Sequence, residues 1–159
     1  MLFTRGNQYA IQALVMLAMR PKGEALMCRD LAESLHIPYP YLSKLMQQCA
    51  KLGLVGASRG RSGGYWLLDV AGGMNILDLL VAINGERQTR ECLLGLKECA
   101  DDSACVMHCE WKPVKEGMFA LLKDQTLGQL AGTVKDGSCQ LGDWIPAAVR
   151  YIPRSASPD

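Results

Sequence analysis

No run of about 18 apolar residues, the length a helix needs to cross a bilayer, occurs anywhere in the chain, so no membrane span is expected. Met1 to Arg5 lead into an amphipathic stretch with Gln8 and Gln12 rather than into an apolar signal core, and a soluble cytoplasmic protein is the expectation. Cys-x-x-Cys pairs, the Cys-x-x-x-Cys-x-x-Cys triad of radical chemistry and phosphate-binding loops are all missing, and there are only two histidines. Those absences leave little from which to build an acid–base or redox active site, and an enzyme is not expected. A strong net charge is missing too, the formal value being +1. That value hides an asymmetry: residues 1–70 carry eight Lys/Arg against four Asp/Glu, and residues 71–159 carry nine against twelve. The basic first half suits a nucleic-acid face, and equally an ordinary solvated surface.

What is present is apolar material and cysteine. Hydrophobic residues make up 49% of 159 positions, enough for one domain of ordinary size with an appended dimerisation element, which excludes a disordered chain. Seven cysteines are many for a chain without a secretion signal, and an odd number argues against a closed disulfide framework. Four of them lie between Cys92 and Cys109, while Cys28, Cys49 and Cys139 are scattered with no partner at a useful spacing and read as buried or incidental thiols.

Apolar spacing predicts a first helix over Gln8 to Met19, a second over Met27 to Leu35, and, after the short link His36-Ile37-Pro38, a third from about Pro40 to Leu52. Two short helices joined by a tight turn suggest a helix-turn-helix. Gly53 fits a helix stop, Leu54 to Ala57 read as a strand, and Ser58 to Gly64 form a hairpin with Tyr65 to Leu68 as the return strand. Asn75 predicts the N-cap of a fourth helix ending at Asn84-Gly85. Residues 86 to about 107 have no sustained period and read as a loop ordered by whatever its cysteines bind. Helical spacing returns from roughly Cys109 to Lys123, with Pro113 in the first turn, and Thr126 to Gln129 resemble a capping box opening one or two more turns. The fold class is therefore mainly α with a small β-hairpin wing. Residues 1–85 form a winged helix-turn-helix DNA-binding domain, 86–108 a cysteine-rich loop, 109–131 a dimerisation helix region, and 132–159 a tail of unknown role.

A helix-turn-helix presents its second helix to the major groove. Tyr39, Tyr41, Ser43 and Lys44 are the candidate contacts there, with Leu42 and Leu45 given to the core and Tyr41 divided between the two roles. At the hairpin tip, Arg59 and Arg61 flank Gly60, and guanidinium groups on a narrow turn suit the negative potential of a minor groove.

Cys92, Cys99, Cys105, His108 and Cys109 supply up to five soft or borderline ligands within eighteen positions. Such a set suits an iron-sulfur cluster or zinc, and spacing alone does not choose between them.

Three stretches carry a resemblance: Ile37-Pro38 through Tyr41-Leu42, Leu52-Gly53-Leu54-Val55, and Ser58-Arg59-Gly60-Arg61-Ser62-Gly63-Gly64-Tyr65 with Leu67, extending to Thr126-Leu127 and Leu130. The chain is similar, over about residues 1–131, to the Rrf-two family of winged-helix transcription regulators, whose IscR-like and NsrR-like members sense through iron-sulfur clusters. The resemblance implies a homodimer on a pseudo-palindromic DNA operator, with the helix after the cysteine loop forming much of the interface. It also implies an iron-sulfur cluster, either 2Fe-2S or 4Fe-4S, on Cys92, Cys99 and Cys105. His108 stands where IscR-like members place a histidine ligand. NsrR-like members use an acidic residue of the N-terminal helix, but Gly6-Asn7-Gln8-Tyr9 offers no carboxylate here; Cys109 is the alternative. Ser43 departs from relatives with an acidic residue early on the recognition helix, so no operator sequence is transferred. Two other readings compete: a winged-helix regulator with a zinc or thiol-disulfide switch, and a protein-interaction module that has kept the fold without binding DNA.

Overall fold

The structure is a computed structural model, and it describes residues 4–60, 63–95, 98–138 and 141. Helix α1, Arg5–Ala18, is capped by Thr4, whose side chain accepts from the Asn7 amide, and it buries Ala10, Ala13, Leu14 and Leu17 along one stripe. Helix α2 is Cys28–Ser34 and helix α3 is Tyr39–Lys51, with Pro40 in the first turn where a missing N–H costs nothing. Leu42 and Leu45 face the core as the pattern predicted, together with Met46 and Cys49.

Gly53, at φ +69°, ends this helical run. Strands β1, Val55–Ser58, and β2, Gly64–Leu67, pair antiparallel with Val55 opposite Leu67 and Ser58 opposite Gly64. The wing does not hang free of the helices. Leu26, just ahead of α2, exchanges both backbone hydrogen bonds with Tyr65 at 2.9 Å. Gly64 permits that approach, because a Cβ there would strike the Leu26 carbonyl.

A short helix α4, Asp69–Gly72, follows, then α5, Ile76–Asn84, opened by the predicted Asn75 cap, whose Oδ1 accepts from the Asp78 amide at 2.8 Å. Within the stretch read as loop, the chain forms one further turn of helix, α6, Arg87–Arg90, and a 3-10 turn over Asp101–Ser103. Helix α7, His108–Asp124, begins one residue earlier than the periodicity suggested, and Pro113 falls in its second turn rather than its first. Helix α8, Leu127–Lys135, runs past the break expected after Ala131; its Thr126–Gln129 capping box is fully formed.

The core is one cluster. Leu127 and Ala131 of α8 are buried in it beside α1, so the chain's late helix completes the early domain. Among the described residues no helix is long and apolar enough to cross a membrane. The architecture is a mostly helical winged helix with a two-stranded hairpin.

Candidate functional site

Two surfaces carry the residues singled out in the sequence. On α3, Tyr39 is 51% and Tyr41 48% exposed, Lys44 is exposed, and Ser43 is half-buried. Tyr41 turns back towards α1: its ring meets Tyr9 edge-on at 5.6 Å, and its hydroxyl lies over Gly6, where an added Cβ would sit 2.7 Å from it. Tyr41 is thus a half-exposed side chain braced by the first helix. Gln47, exposed one turn past Ser43 and donating to its Oγ at 3.4 Å, belongs to the same face and was missed by sequence reasoning. Its signal was available in the i, i+4 spacing from Ser43. Arg59 is exposed at the wing; Arg61 lies outside the described residues.

The second surface is the loop and the start of α7. It is drawn together by the backbone, where the Cys99 amide donates to the Arg90 carbonyl at 2.8 Å and the His108 amide to the Cys105 carbonyl at 2.9 Å. Lys115, on α7, donates to the Glu91 carbonyl at 3.3 Å and stacks its ammonium 5.7 Å from the Phe119 ring. The four expected ligands meet as two pairs. Cys92 Sγ is 3.8 Å from Cys105 Sγ, and Cys99 Sγ is 3.6 Å from Nδ1 of His108. They are not gathered into one shell: among the described residues no group of three or more His, Cys, Asp or Glu side chains is arranged to hold a metal ion. Cys109 is exposed on the helix, whereas His108 is only 6% exposed.

His108 is oriented by a residue the sequence did not reveal. Its Nε2–H donates to Asp101 Oδ1 at 2.8 Å, and the same carboxylate accepts from Lys112 Nζ at 2.8 and 2.9 Å. The Lys112 ammonium, and then His108, hold the Asp101 carboxyl below the usual carboxylate range, and Asp101 in turn raises Lys112. A proton kept on Nε2 leaves the Nδ1 lone pair facing the Cys99 thiol. Imidazoles that bind metals are held this way, with the far N–H on a carboxylate. No sequence spacing marks Asp101, because the contact depends on how the loop folds. An open cleft of about 210 Å³ lies beside the pair, lined by Cys99, Asp101, His108, Lys112, Lys115 and Phe119.

The family model of Rrf2, described as an iron-dependent transcriptional regulator, matches residues 3–133. The chain belongs to the Rrf2 family. It is a DNA-binding transcription regulator of that family and not an enzyme. Among Rrf2 relatives it is 28% identical over 130 residues to the HTH-type transcriptional regulator IscR of Klebsiella pneumoniae subsp. pneumoniae, a match covering 82% of this chain and 79% of that one. The IscR of Vibrio atlanticus is equally similar, at 28% over 130 residues, 82% of this chain and 75% of its own. Two solved structures share the Rrf2 fold with a TM-score of 0.65 and 22% identity. CymR, the global cysteine regulator of B. subtilis, is matched over 82% of this chain and 95% of its own; the IscR of T. potens is matched over 87% and 92%.

Proposed function

We propose that this regulator controls its operator affinity through an iron-sulfur cluster held by Cys92, Cys99, Cys105 and His108. The observation that carries the reading is the orientation of His108, whose Nε2–H is committed to Asp101 so that Nδ1 faces the Cys99 thiol. Three thiols and an imidazole, on a loop whose first and last cysteines are already paired across 13 residues, match the donor chemistry of such a group. When bound it would supply an oxidisable, ligand-exchanging centre. This chain's own part is to present the thiolates, to hold the His108 tautomer through Asp101, and to keep Lys112 against that carboxylate so that its charge is balanced. Tyr39, Ser43 and Lys44 on α3, with Tyr41 braced behind them and Arg59 and Arg61 on the wing, would contact the duplex. The regulator works as a homodimer, supported by Val114 and Leu121, which lie 59% and 63% exposed one heptad apart on α7.

A second reading, a thiol switch, is favoured by the 3.8 Å between the Cys92 and Cys105 sulfurs. Two thiols at that distance need a shift of roughly 2 Å to reach disulfide bonding distance. Hydrogen peroxide would take two electrons and two protons from the pair, forming the S–S bond and two waters.

Protein purified without oxygen decides between them. Absorption bands between about 320 and 460 nm with matching iron and acid-labile sulfide are expected, and they should vanish in Cys99→Ala while helical content is kept. Colourless, iron-free protein that forms a Cys92–Cys105 disulfide with peroxide would establish the thiol switch instead.

A further inference from the structure

The last turn of α5, from which the cysteine loop departs, is held by side chains of two other helices. Gln48, on α3, donates from Nε2 to the Ile83 carbonyl at 2.6 Å. The next residue, Asn84, donates from Nδ2 to Oδ1 of Asn7 on α1 at 2.6 Å, and to the Leu80 carbonyl of its own helix at 3.1 Å. The final carbonyls of a helix have no partner within it, so Gln48 acts as a C-terminal cap supplied by the reading helix. Asn7 is 1% exposed, which makes the loss of a bond at its carbonyl oxygen costly. Gly85 then turns the chain at φ +80° into α6 and the loop. On α3, Gln48 stands one turn beyond Lys44, so whatever moves the Gln48 side chain and its backbone moves that contact residue with it.

We propose that Gln48 is a positioning residue that couples the cysteine loop to the reading helix. Its bond to Ile83 fixes α3 against the end of α5, and the Asn84–Asn7 bond fixes the same turn against α1. A change in the fold of the loop pulls on residues 83 to 85 and reaches α3 directly through the Gln48 amide, whereas the Asn84–Asn7 bond reaches it only by way of α1. Coupling of this kind needs differential contacts in the two states of the loop, which a side-chain cap on the departing carbonyl provides. The inference rests on the reading of the loop as the sensor.

Wild type, Gln48→Ala, Gln48→Glu and Gln48→Lys are compared before and after anaerobic reconstitution with iron and sulfide, on a duplex selected by the wild type from a random pool. Ala and Glu cannot donate to the Ile83 carbonyl, whereas Lys can. The loaded-to-empty affinity ratio, about fivefold or more for coupled sites, should fall to within about twofold of one in Ala and Glu and be restored by Lys. The added charge of Lys acts on both forms and cancels in the ratio. Deuterium uptake over residues 39–51 should respond to loading in wild type and Lys only. A ratio and an uptake change that survive in Ala and Glu overturn the proposal. If the wild type takes up no iron, the cluster reading falls and the coupling is judged without it. Asp101→Asn, which loosens the loop directly, should then alter uptake over 39–51 with Gln48 present and not in Gln48→Ala; equal responses overturn the coupling itself.

Discussion

At the scale of single residues, the cysteines divide by surroundings rather than by number. Cys49 is fully buried on α3, and burial pushes its thiol from an ordinary 9.0 up to about 11. Since the folded value lies above the unfolded one, the protonated thiol's contribution to stability is complete below pH 9 and is lost as the pH rises towards 11. Urea melts between pH 8 and 11 should show a steeper loss in wild type than in Cys49→Ala; parallel lines would mean that the thiol ionises as freely inside the fold as outside. At pH 8, iodoacetamide should label the exposed Cys109 early and Cys49 only on unfolding. Arg59→Ala should weaken duplex binding and lower the slope of log affinity against log salt by about one; an unchanged slope would take the wing off the phosphates. Which residues would be buried was legible from periodicity, as Leu42 and Leu45 show. The partner of His108 was not, because Asp101 reaches the ring from a loop with no repeat to betray it, and Lys112 bonds to that carboxylate rather than to the ring.

At the scale of elements, capping chemistry was read with most success. Asn75 and Thr126 announce α5 and α8 because an N-cap side chain satisfies an orphan amide within three residues, a purely local event. Helix ends set by tertiary contact were missed. The extension of α8 to Lys135 depends on packing against α1, and α6 sits in a segment whose sequence shows no apolar stripe. The apolar residues of α7 divide: Met118, Phe119 and Leu122 pack on the core while Val114 and Leu121 face outward. Thr126→Ala removes the side-chain half of the capping box, the Oγ1 that accepts from the Gln129 amide at 3.2 Å, and should cost about 1 kcal/mol of unfolding free energy in urea melts. A loss near zero would mean that α8 is held by Leu127 and Ala131 alone.

At the scale of the whole molecule, the exposed pair Val114 and Leu121 on α7 is the seam proposed above for the dimer. Leu121→Asp places a charge in the proposed dimer seam, and sedimentation should show a shift to monomer with the monomer's fold intact; an unchanged dimer would move the interface elsewhere. The winged helix itself was readable from the order of short helices and a glycine-rich hairpin. Its closure was not, because the backbone pairing of Asn75 with Thr126 joins positions far apart in sequence. That pairing, with the Ile76 amide on the Gln125 carbonyl at 2.9 Å and the Leu127 amide on the Met74 carbonyl at 3.1 Å, makes everything between a closed excursion from one body. A segment pinned at both ends has already met the loop-closure part of its entropy cost. Whatever settles among its cysteines therefore has only the inner residues left to order, and the same tether means that a chain cut before the loop would lack the helix that finishes its core.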